Sequence, residues 1–139
     1  DLEGESAQFS DYVPADRWLV VMIWSWSCPI CAQEMAGQAQ LHERNQGGRL
    51  TLLGVSLDGV AGIMEAWAFA EEHGATFPNL IGEAQEVAHF FYEQTGQSLQ
   101  GTPTFLVYAP GGHLKAVQAG AVPPEGIEAF IAHQEDTGD

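Results

Sequence analysis

The sequence predicts an α/β fold in which helices flank both faces of a central mixed β-sheet. Strand-like and helix-like segments alternate in the order β-α-β-α-short β-α-β-β-α, which is typical of parallel strands joined by helical crossovers. The last two strands are separated only by Pro110-Gly111-Gly112, a turn that joins antiparallel neighbours. Because no internal repeat or low-complexity linker interrupts this order, we expect one domain over residues 1–139, with residues 1–17 as an extended N-terminal lead-in.

Composition limits the classes of function. The chain has 139 residues, of which 45% are hydrophobic, and its 19 acidic residues outnumber 4 basic ones, giving a formal net charge of -15. This charge argues against binding to nucleic acid or to anionic membrane surfaces. It is compatible with a basic protein partner and equally with a solvated acidic surface. The sequence begins at Asp1 rather than Met, which predicts a removed segment such as a signal peptide or membrane anchor.

Residues 18–48 are predicted to form the first strand and the helix that follows it. Residues 18–24 are apolar throughout and rich in β-branched side chains, as expected for a central strand buried on both faces. Ser25-Trp26-Ser27 connects this strand to a helix in which Pro29 occupies the first turn. Small or apolar residues at helical spacing mark the inward face, namely Ala32, Met35, Ala36 and Ala39. Residues 45–48 end the helix.

The second unit begins with a buried strand at residues 50–57, which Asp58-Gly59 breaks. A helix follows and ends at His73-Gly74. Its predicted inward face consists of Ile63, Ala66, Trp67 and Ala70. Residues 77–81 are short and extended, and they lead to a third helix at residues 83–95, with Gly96 as its cap.

The C-terminal unit consists of a hairpin and a final helix. The hairpin strands are predicted at residues 104–108 and 114–119, and Pro123-Pro124 opens the helix. Ile127, Phe130 and Ile131 share one face of this helix, as Val87 and Phe91 do in the third helix. We expect the aromatic side chains of Trp24, Trp67, Phe90 and Phe91 in the core, and the histidines His42, His73, His89, His113 and His133 at the surface.

Cys28-Pro29-Ile30-Cys31 contains the only two cysteines of the chain. A C-x-x-C motif at a strand-to-helix junction is typical of a thiol–disulfide redox centre. The unpaired N–H groups of the helix, with that of Cys31 as the expected donor, favour the thiolate of Cys28. We therefore expect Cys28 to be the nucleophile and Cys31 the resolving thiol. A structural disulfide is a poor explanation, because a bond across one turn constrains little of the unfolded chain.

Further motifs accompany the cysteines along the chain. They are Phe9-Ser10-Asp11-Tyr12, Val20–Trp24 ahead of the cysteines, Glu34-Met35 after them, Phe77-Pro78, Gly101-Thr102-Pro103-Thr104, Gly111-Gly112 and Gly120. With these motifs the chain resembles the TlpA/ResA/DsbE-like thiol–disulfide oxidoreductases. The resemblance implies a thioredoxin fold with an N-terminal extension and a central insertion, a cis peptide bond at Pro103, and no cofactor beyond the Cys28–Cys31 disulfide.

The same resemblance implies a biological setting. It suggests a monomeric reductase in the periplasm or another extracytoplasmic space, acting on protein thiols or disulfides such as those of apocytochrome c. An upstream electron donor, such as a membrane thiol reductase, would keep it reduced. The uncharged dipeptide Pro29-Ile30 favours a reducing rather than a strongly oxidising protein.

Five residues are candidates for substrate binding: Trp26, Pro29, Ile30, Thr102 and Pro103. The backbone of Thr102 is expected to pair with an extended substrate segment beside Cys28. Two rival functions remain open. C-x-x-C also binds soft metals such as Cu(I), although no second pair of ligands has the spacing of a zinc site. The second rival function is that of a non-catalytic interaction module with the same fold.

The chain departs from the family pattern near the cysteines. Ser27 stands where an aromatic residue usually precedes the first cysteine, and Met22 stands where thioredoxins place a buried Asp. No Lys lies in Leu53-Gly54-Val55, and the stretch 94–100 is longer than usual. Glu34 and Asp58 are therefore the candidate proton carriers for Cys31. Alternatively, Glu34 is a solvated carboxylate in the first helical turn, and Asp58 is a turn former before Gly59.

Overall fold

The structure is a computed structural model that describes residues 8–136. The strands are β1 (Trp18–Trp24), β2 (Leu50–Ser56), β3 (Asn79–Ile81), β4 (Thr104–Ala109) and β5 (His113–Ala119). The helices are α1 (Pro29–Arg44), α2 (Ile63–Glu72), α3 (Ala84–Thr95) and α4 (Pro124–Asp136). Short 3-10 turns occupy Phe9–Tyr12 and Val60–Gly62. Over residues 8–136, no helix combines the length and the hydrophobicity that a membrane crossing requires.

The five strands form one sheet in the order β3-β2-β1-β4-β5. The pairs β1–β2 and β2–β3 are parallel, whereas β1–β4 and β4–β5 are antiparallel. The sheet is therefore mixed, as the sequence predicts. In this order β1 is the central strand, and its C-terminal end lies beside the C-terminal end of β2 and the start of β4. Between α2 and β4 the chain contains the short strand β3 and the helix α3.

Strand β1 is buried along its whole length because both faces of the sheet are covered. Its alternate side chains enter two separate apolar clusters. Trp18, Val20, Met22 and Trp24 pack with α1, α2 and α4, while Leu19, Val21 and Ile23 pack with α3 and the Phe9–Tyr12 turn. The unbroken apolar run therefore specifies a strand with no solvent-facing side, as predicted.

Helix ends follow local capping chemistry. In α1 Pro29 occupies the first turn, and after the last turn the Asn45 side chain donates to the Leu41 carbonyl at 2.8 Å. In α3 Glu83 and Glu86 form a reciprocal capping box, and Gly96 ends the helix with φ 72°. The predicted limits of these two helices are confirmed to within one residue.

The predicted inward face of α2 is wrong at one position. Trp67 is exposed, and Phe69 is buried instead, stacked on Trp24 with ring centroids 5.3 Å apart. Periodicity locates the helix but does not fix its rotation, which this stacking decides. In α1 a similar correction applies, because Ala36 is exposed and Gln38 is fully buried.

Three further expectations differ from the structure. His42 and His73 are half-buried rather than at the surface, and His42 Nδ1 accepts the Leu52 N–H at 3.1 Å. Burial lowers the pKa of His42 below its ordinary value. Phe90 is only half-buried. In the predicted extended lead-in, residues 1–7 lie outside the described residues, and Phe9–Tyr12 form a 3-10 turn.

Gly54 lies in the middle of β2, where neighbouring side chains leave no room for a side chain larger than hydrogen. The Trp24 indole N–H donates to Asn79 Oδ1 at 2.9 Å, and this hydrogen bond lies directly over Gly54. A methyl group on Gly54 would overlap Asn79 Oδ1 and approach the Trp24 indole nitrogen to 2.9 Å. Glycine is therefore required here by a close approach rather than by an unusual φ.

We predict that Gly54→Ala destabilises the protein by about 1–3 kcal/mol, because the added methyl group overpacks a rigid core. Urea denaturation measures the effect. Gly126→Ala is the matched control, since a methyl group there meets only ordinary contacts of 3.7 Å or more and lies within α4. If both variants unfolded at the wild-type midpoint, the close approach at Gly54 would be refuted.

Candidate active site

Cys28 lies at the junction between the loop after β1 and the first turn of α1. It occupies the N-cap position, and its Sγ accepts the Cys31 backbone N–H at 3.1 Å, as predicted. Both cysteines are free thiols in the structure. Cys28 is half-buried, whereas Cys31, one turn further along the helix, is completely buried. Only the first sulfur is therefore open to a large reactant.

Cys31 is enclosed by apolar side chains. It belongs to the same cluster as Met22 and Met35, which are themselves completely buried. Burial, and then the hydrogen bond with Cys28, raises the pKa of Cys31 well above its ordinary value. At neutral pH the buried sulfur is therefore held as the thiol, and it must lose a proton before it can attack a disulfide.

The loop before β4 faces Cys28 from the other side. Cys28 Sγ lies 3.4 Å from the Thr102 carbonyl oxygen, and the Thr102–Pro103 peptide bond is cis. Thr102 lies outside the ladder between β1 and β4, whose last pair is Ile23 with Thr104. Among the hydrogen bonds of residues 8–136, none uses the Thr102 N–H. The residue whose carbonyl oxygen contacts the sulfur thus also has an unpaired backbone donor.

Asp58, beyond the end of β2, organises the loop that precedes Cys28. Its carboxylate accepts the Ser25 hydroxyl at 2.6 Å and the Trp26 N–H at 2.9 Å. It also accepts the Ser56 hydroxyl at 2.7 Å. Three donors thus converge on one carboxylate and fix the path of the chain from β1 to the motif. The sequence does not reveal the role of Ser25, because its partner lies 33 positions away, whereas Ser56 lies only two residues before Asp58.

Glu34 is half-buried and bound to the segment between β5 and α4. Its Oε1 accepts the Val122 N–H at 3.0 Å, while the Gln38 amide donates to the Val122 carbonyl at 2.9 Å. The Gly120 N–H in turn donates to the Pro103 carbonyl at 2.8 Å. The helix that carries both cysteines is therefore tied, through one segment, to the loop on the opposite side of the site.

The structure brings only some of the predicted residues together. Cys28, Cys31 and Thr102 are in direct hydrogen-bond contact, and Pro103 follows Thr102. Trp26, Pro29 and Ile30 are exposed beside them. Within residues 8–136, no hydrogen bond joins the carboxylates of Glu34 or Asp58 to either sulfur. The same part of the chain contains no group of three or more His, Cys, Asp or Glu side chains arranged to hold a metal ion.

The sequence was compared with models of protein families and with curated proteins. The AhpC/TSA family model matches residues 1–117. No curated protein matches the sequence.

Solved structures resemble the chain over nearly its full length. A thiol:disulfide interchange protein of the thioredoxin family from Chlorobium tepidum TLS aligns with a TM-score of 0.78 at 15% identity, covering 95% of this chain and 88% of that one. A secreted Mycobacterium tuberculosis disulfide oxidoreductase homologous to E. coli DsbE gives 0.73 at 18%, covering 95% and 91%. A DsbF homologue from Corynebacterium diphtheriae gives 0.76 at 22%, covering 95% and 80%. The shared architecture is the thioredoxin fold.

We predict that the two thiols differ strongly in reactivity. At pH 7–8 Cys28 in a Cys31→Ser variant should react with iodoacetamide at least about tenfold faster than Cys31 in a Cys28→Ser variant, because only a thiolate reacts and burial keeps Cys31 protonated. Mass spectrometry of timed samples measures both rates. Alkylation in urea is the control, since unfolding should bring the rates together. Equal rates in the folded proteins would contradict the assignment.

Proposed function

The chain belongs to the AhpC/TSA family, a family of thiol–disulfide oxidoreductases, and on that premise we propose that it reduces disulfide bonds of protein substrates through Cys28 and Cys31. The observation that carries the proposal is the position of Cys28 Sγ. It belongs to a half-buried residue, it accepts the Cys31 N–H, and it lies beside the Thr102 backbone. A thiol in this position can be stabilised as an anion and can meet an extended polypeptide.

Reduction proceeds by two exchanges. The Cys28 thiolate attacks one sulfur of the substrate disulfide, forming a mixed disulfide and releasing the other substrate sulfur as a thiolate. Cys31 then loses its proton and attacks the Cys28 sulfur, which releases the second substrate thiolate. The substrate disulfide gains two electrons, and the motif is left as the Cys28–Cys31 disulfide. A dithiol donor must reduce this bond before the next cycle.

The substrate segment lies, in this proposal, across the exposed residues around Cys28. Trp26, Pro29 and Ile30 provide apolar contacts on the helix side. On the other side the unpaired Thr102 N–H and the Thr102 carbonyl provide a donor and an acceptor for an extended backbone, with Pro103 beneath. Backbone pairing of this type tolerates many sequences, which suits a reductase with more than one protein substrate.

We propose that one of two carboxylates accepts the proton that Cys31 loses before the second exchange. Asp58 is linked to the site through Ser25, and Glu34 lies one helical turn beyond Cys31. Both also hold neighbouring backbone or hydroxyl groups, so each has a positioning contact in addition to the proposed proton transfer. A carboxylate that receives this proton lowers the barrier to the second exchange only.

The biological setting follows from the resemblance rather than from the site. We assign the protein to the cell envelope as a monomer of the cytochrome c maturation type, receiving electrons from a membrane thiol reductase and using no cofactor other than its own disulfide. The absence of a cationic residue within Pro29-Ile30 supports the reducing direction.

We predict that the reduced protein cleaves insulin disulfides and has a redox potential more negative than about −200 mV, well below the value of about −120 mV typical of strong dithiol oxidants. Turbidity of precipitating insulin and equilibration with glutathione provide the two measurements. Cys28→Ser should abolish reduction, and Cys31→Ser should accumulate a mixed disulfide that mass spectrometry identifies.

A potential near that of the strong oxidants would reverse the proposed direction. Insulin reduction that survives Cys28→Ser would remove the cysteine from the mechanism.

We predict that Glu34→Gln or Asp58→Asn slows the second exchange by about tenfold or more below pH 8, because the buried Cys31 thiol then lacks its proton acceptor. Stopped-flow decay of a preformed mixed disulfide measures this step. Iodoacetamide labelling of Cys28 is the control for altered positioning and should be unchanged. A variant with wild-type decay across pH 6–9 excludes its carboxylate as the carrier.

A further inference from the structure

An exposed apolar stripe runs along the start of α2. Met64 and Trp67 lie three positions apart on α2, the spacing of one helix face, and Val60 lies in the 3-10 turn that leads into the helix; the three are 77%, 48% and 74% exposed. Single exposed apolar residues are ordinary, but a pair on one helix face with a third in the turn just before it indicates an interaction surface. We call these three residues the α2 stripe.

The α2 stripe is continuous with the redox motif. Gly62 lies between Val60 and Met64, and a Cβ added at Gly62 would lie 3.6 Å from the Trp26 indole nitrogen. Trp26 is 44% exposed and only two residues before Cys28. The exposed Trp26 side chain therefore lies between Cys28 and the turn that leads into α2, next to Asp58. A polypeptide paired with Thr102 and reaching Cys28 can continue past Trp26 towards α2, with the Asp58 side chain also beside this path.

The distribution of basic residues distinguishes the end of the sheet that carries Cys28 and the start of α2 from the other end. All four basic residues lie at the opposite end of the sheet: Arg17 and Arg49 precede β1 and β2, Arg44 ends α1, and Lys115 is near the start of β5. Each of the three arginines is also paired with a carboxylate.

The charged residues around the α2 stripe are acidic. Glu65, Glu71 and Glu72 are the charged residues of α2, and all three are exposed. Glu83 accepts the Val60 N–H at 2.9 Å and is exposed as well. An apolar surface with this border complements a segment that carries both apolar and cationic side chains.

We propose that the α2 stripe binds a segment of the substrate protein that is apolar and flanked by Lys or Arg, adjacent in sequence to the cysteine that Cys28 attacks. This inference rests on the proposed reductase function and adds a substrate class to it. The apolar side chains of the segment pack on Met64 and Trp67, and its cations face the glutamates. Backbone pairing at Thr102 sets the register, while the α2 stripe selects among substrates.

Four synthetic peptides test the proposal. Each carries one cysteine as a mixed disulfide with 5-thio-2-nitrobenzoate, followed by a segment that is either apolar or polar and either basic or acidic. Absorbance of the released thionitrobenzoate gives the second-order rate constant with the reduced protein. We expect the apolar basic peptide to react about tenfold faster than the polar acidic one, and its advantage over the apolar acidic peptide to shrink in high salt.

Two variants locate the effect. Met64→Ser/Trp67→Ser should remove the preference for apolar peptides and leave the rate with free 5,5′-dithiobis(2-nitrobenzoate) unchanged, because small reactants do not reach α2. Tyr92→Ser is the matched control: Tyr92 is 58% exposed, but it lies on α3, across the sheet from α2. Its peptide preferences should match the wild type. Wild-type preferences in the double variant would overturn the proposal.

Binding without chemistry separates this inference from the reductase function. The same peptides with Ser in place of Cys, labelled with a fluorophore, should bind with the same ranking and weaken about tenfold in the double variant. If no disulfide is reduced but this ranking holds, the reductase function fails and the surface stands. If disulfides are reduced but the peptides show no ranking, the α2 stripe is refuted as a binding surface and the reductase function is retained. Self-association that the double variant abolishes, without peptide ranking, would overturn the proposal in favour of a second copy as the occupant.

Discussion

The hydrogen bond from the Cys31 N–H to Cys28 Sγ makes a sulfur atom the N-cap of α1. Several other features are arranged around this contact. Strand β1, buried on both faces, directs the chain to the junction, and the three donors to Asp58 fix the intervening loop. The sulfur that caps α1 is also the one that faces the Thr102 carbonyl oxygen at 3.4 Å. One contact therefore both begins the helix and positions the sulfur of the proposed nucleophile.

The two sulfurs differ through their surroundings rather than their chemistry. Cys28 meets backbone groups of α1 and of Thr102, whereas Cys31 meets the apolar side chains of Met22 and Met35. The apolar setting keeps the second thiol protonated until the first has reacted, which orders the exchanges. Met22 and Met35 are both completely buried members of this apolar setting.

Local patterns predicted much of this fold, and contacts distant in sequence account for what they did not. The limits of β1 follow directly from an apolar run with no polar face, and the motif with Gly101-Thr102-Pro103-Thr104 predicted the proximity of Thr102 to Cys28. The burial of Phe69 instead of Trp67 depends on stacking against Trp24, which lies on another element. The roles of Gln38 and Glu34 depend on Val122, more than eighty positions away, and no periodicity within α1 reveals them.

The link from Val122 through Gly120 to Pro103 also has a consequence for the order of synthesis. A ribosome produces the two cysteines long before the segment that Glu34 and Gln38 hold, and that segment contacts the Pro103 loop. While the chain is still growing, the thiols are present without the backbone that confines Cys28 on its far side. The complete site thus forms only after translation has passed Val122, so the nascent chain carries its cysteines before it has the geometry to use them.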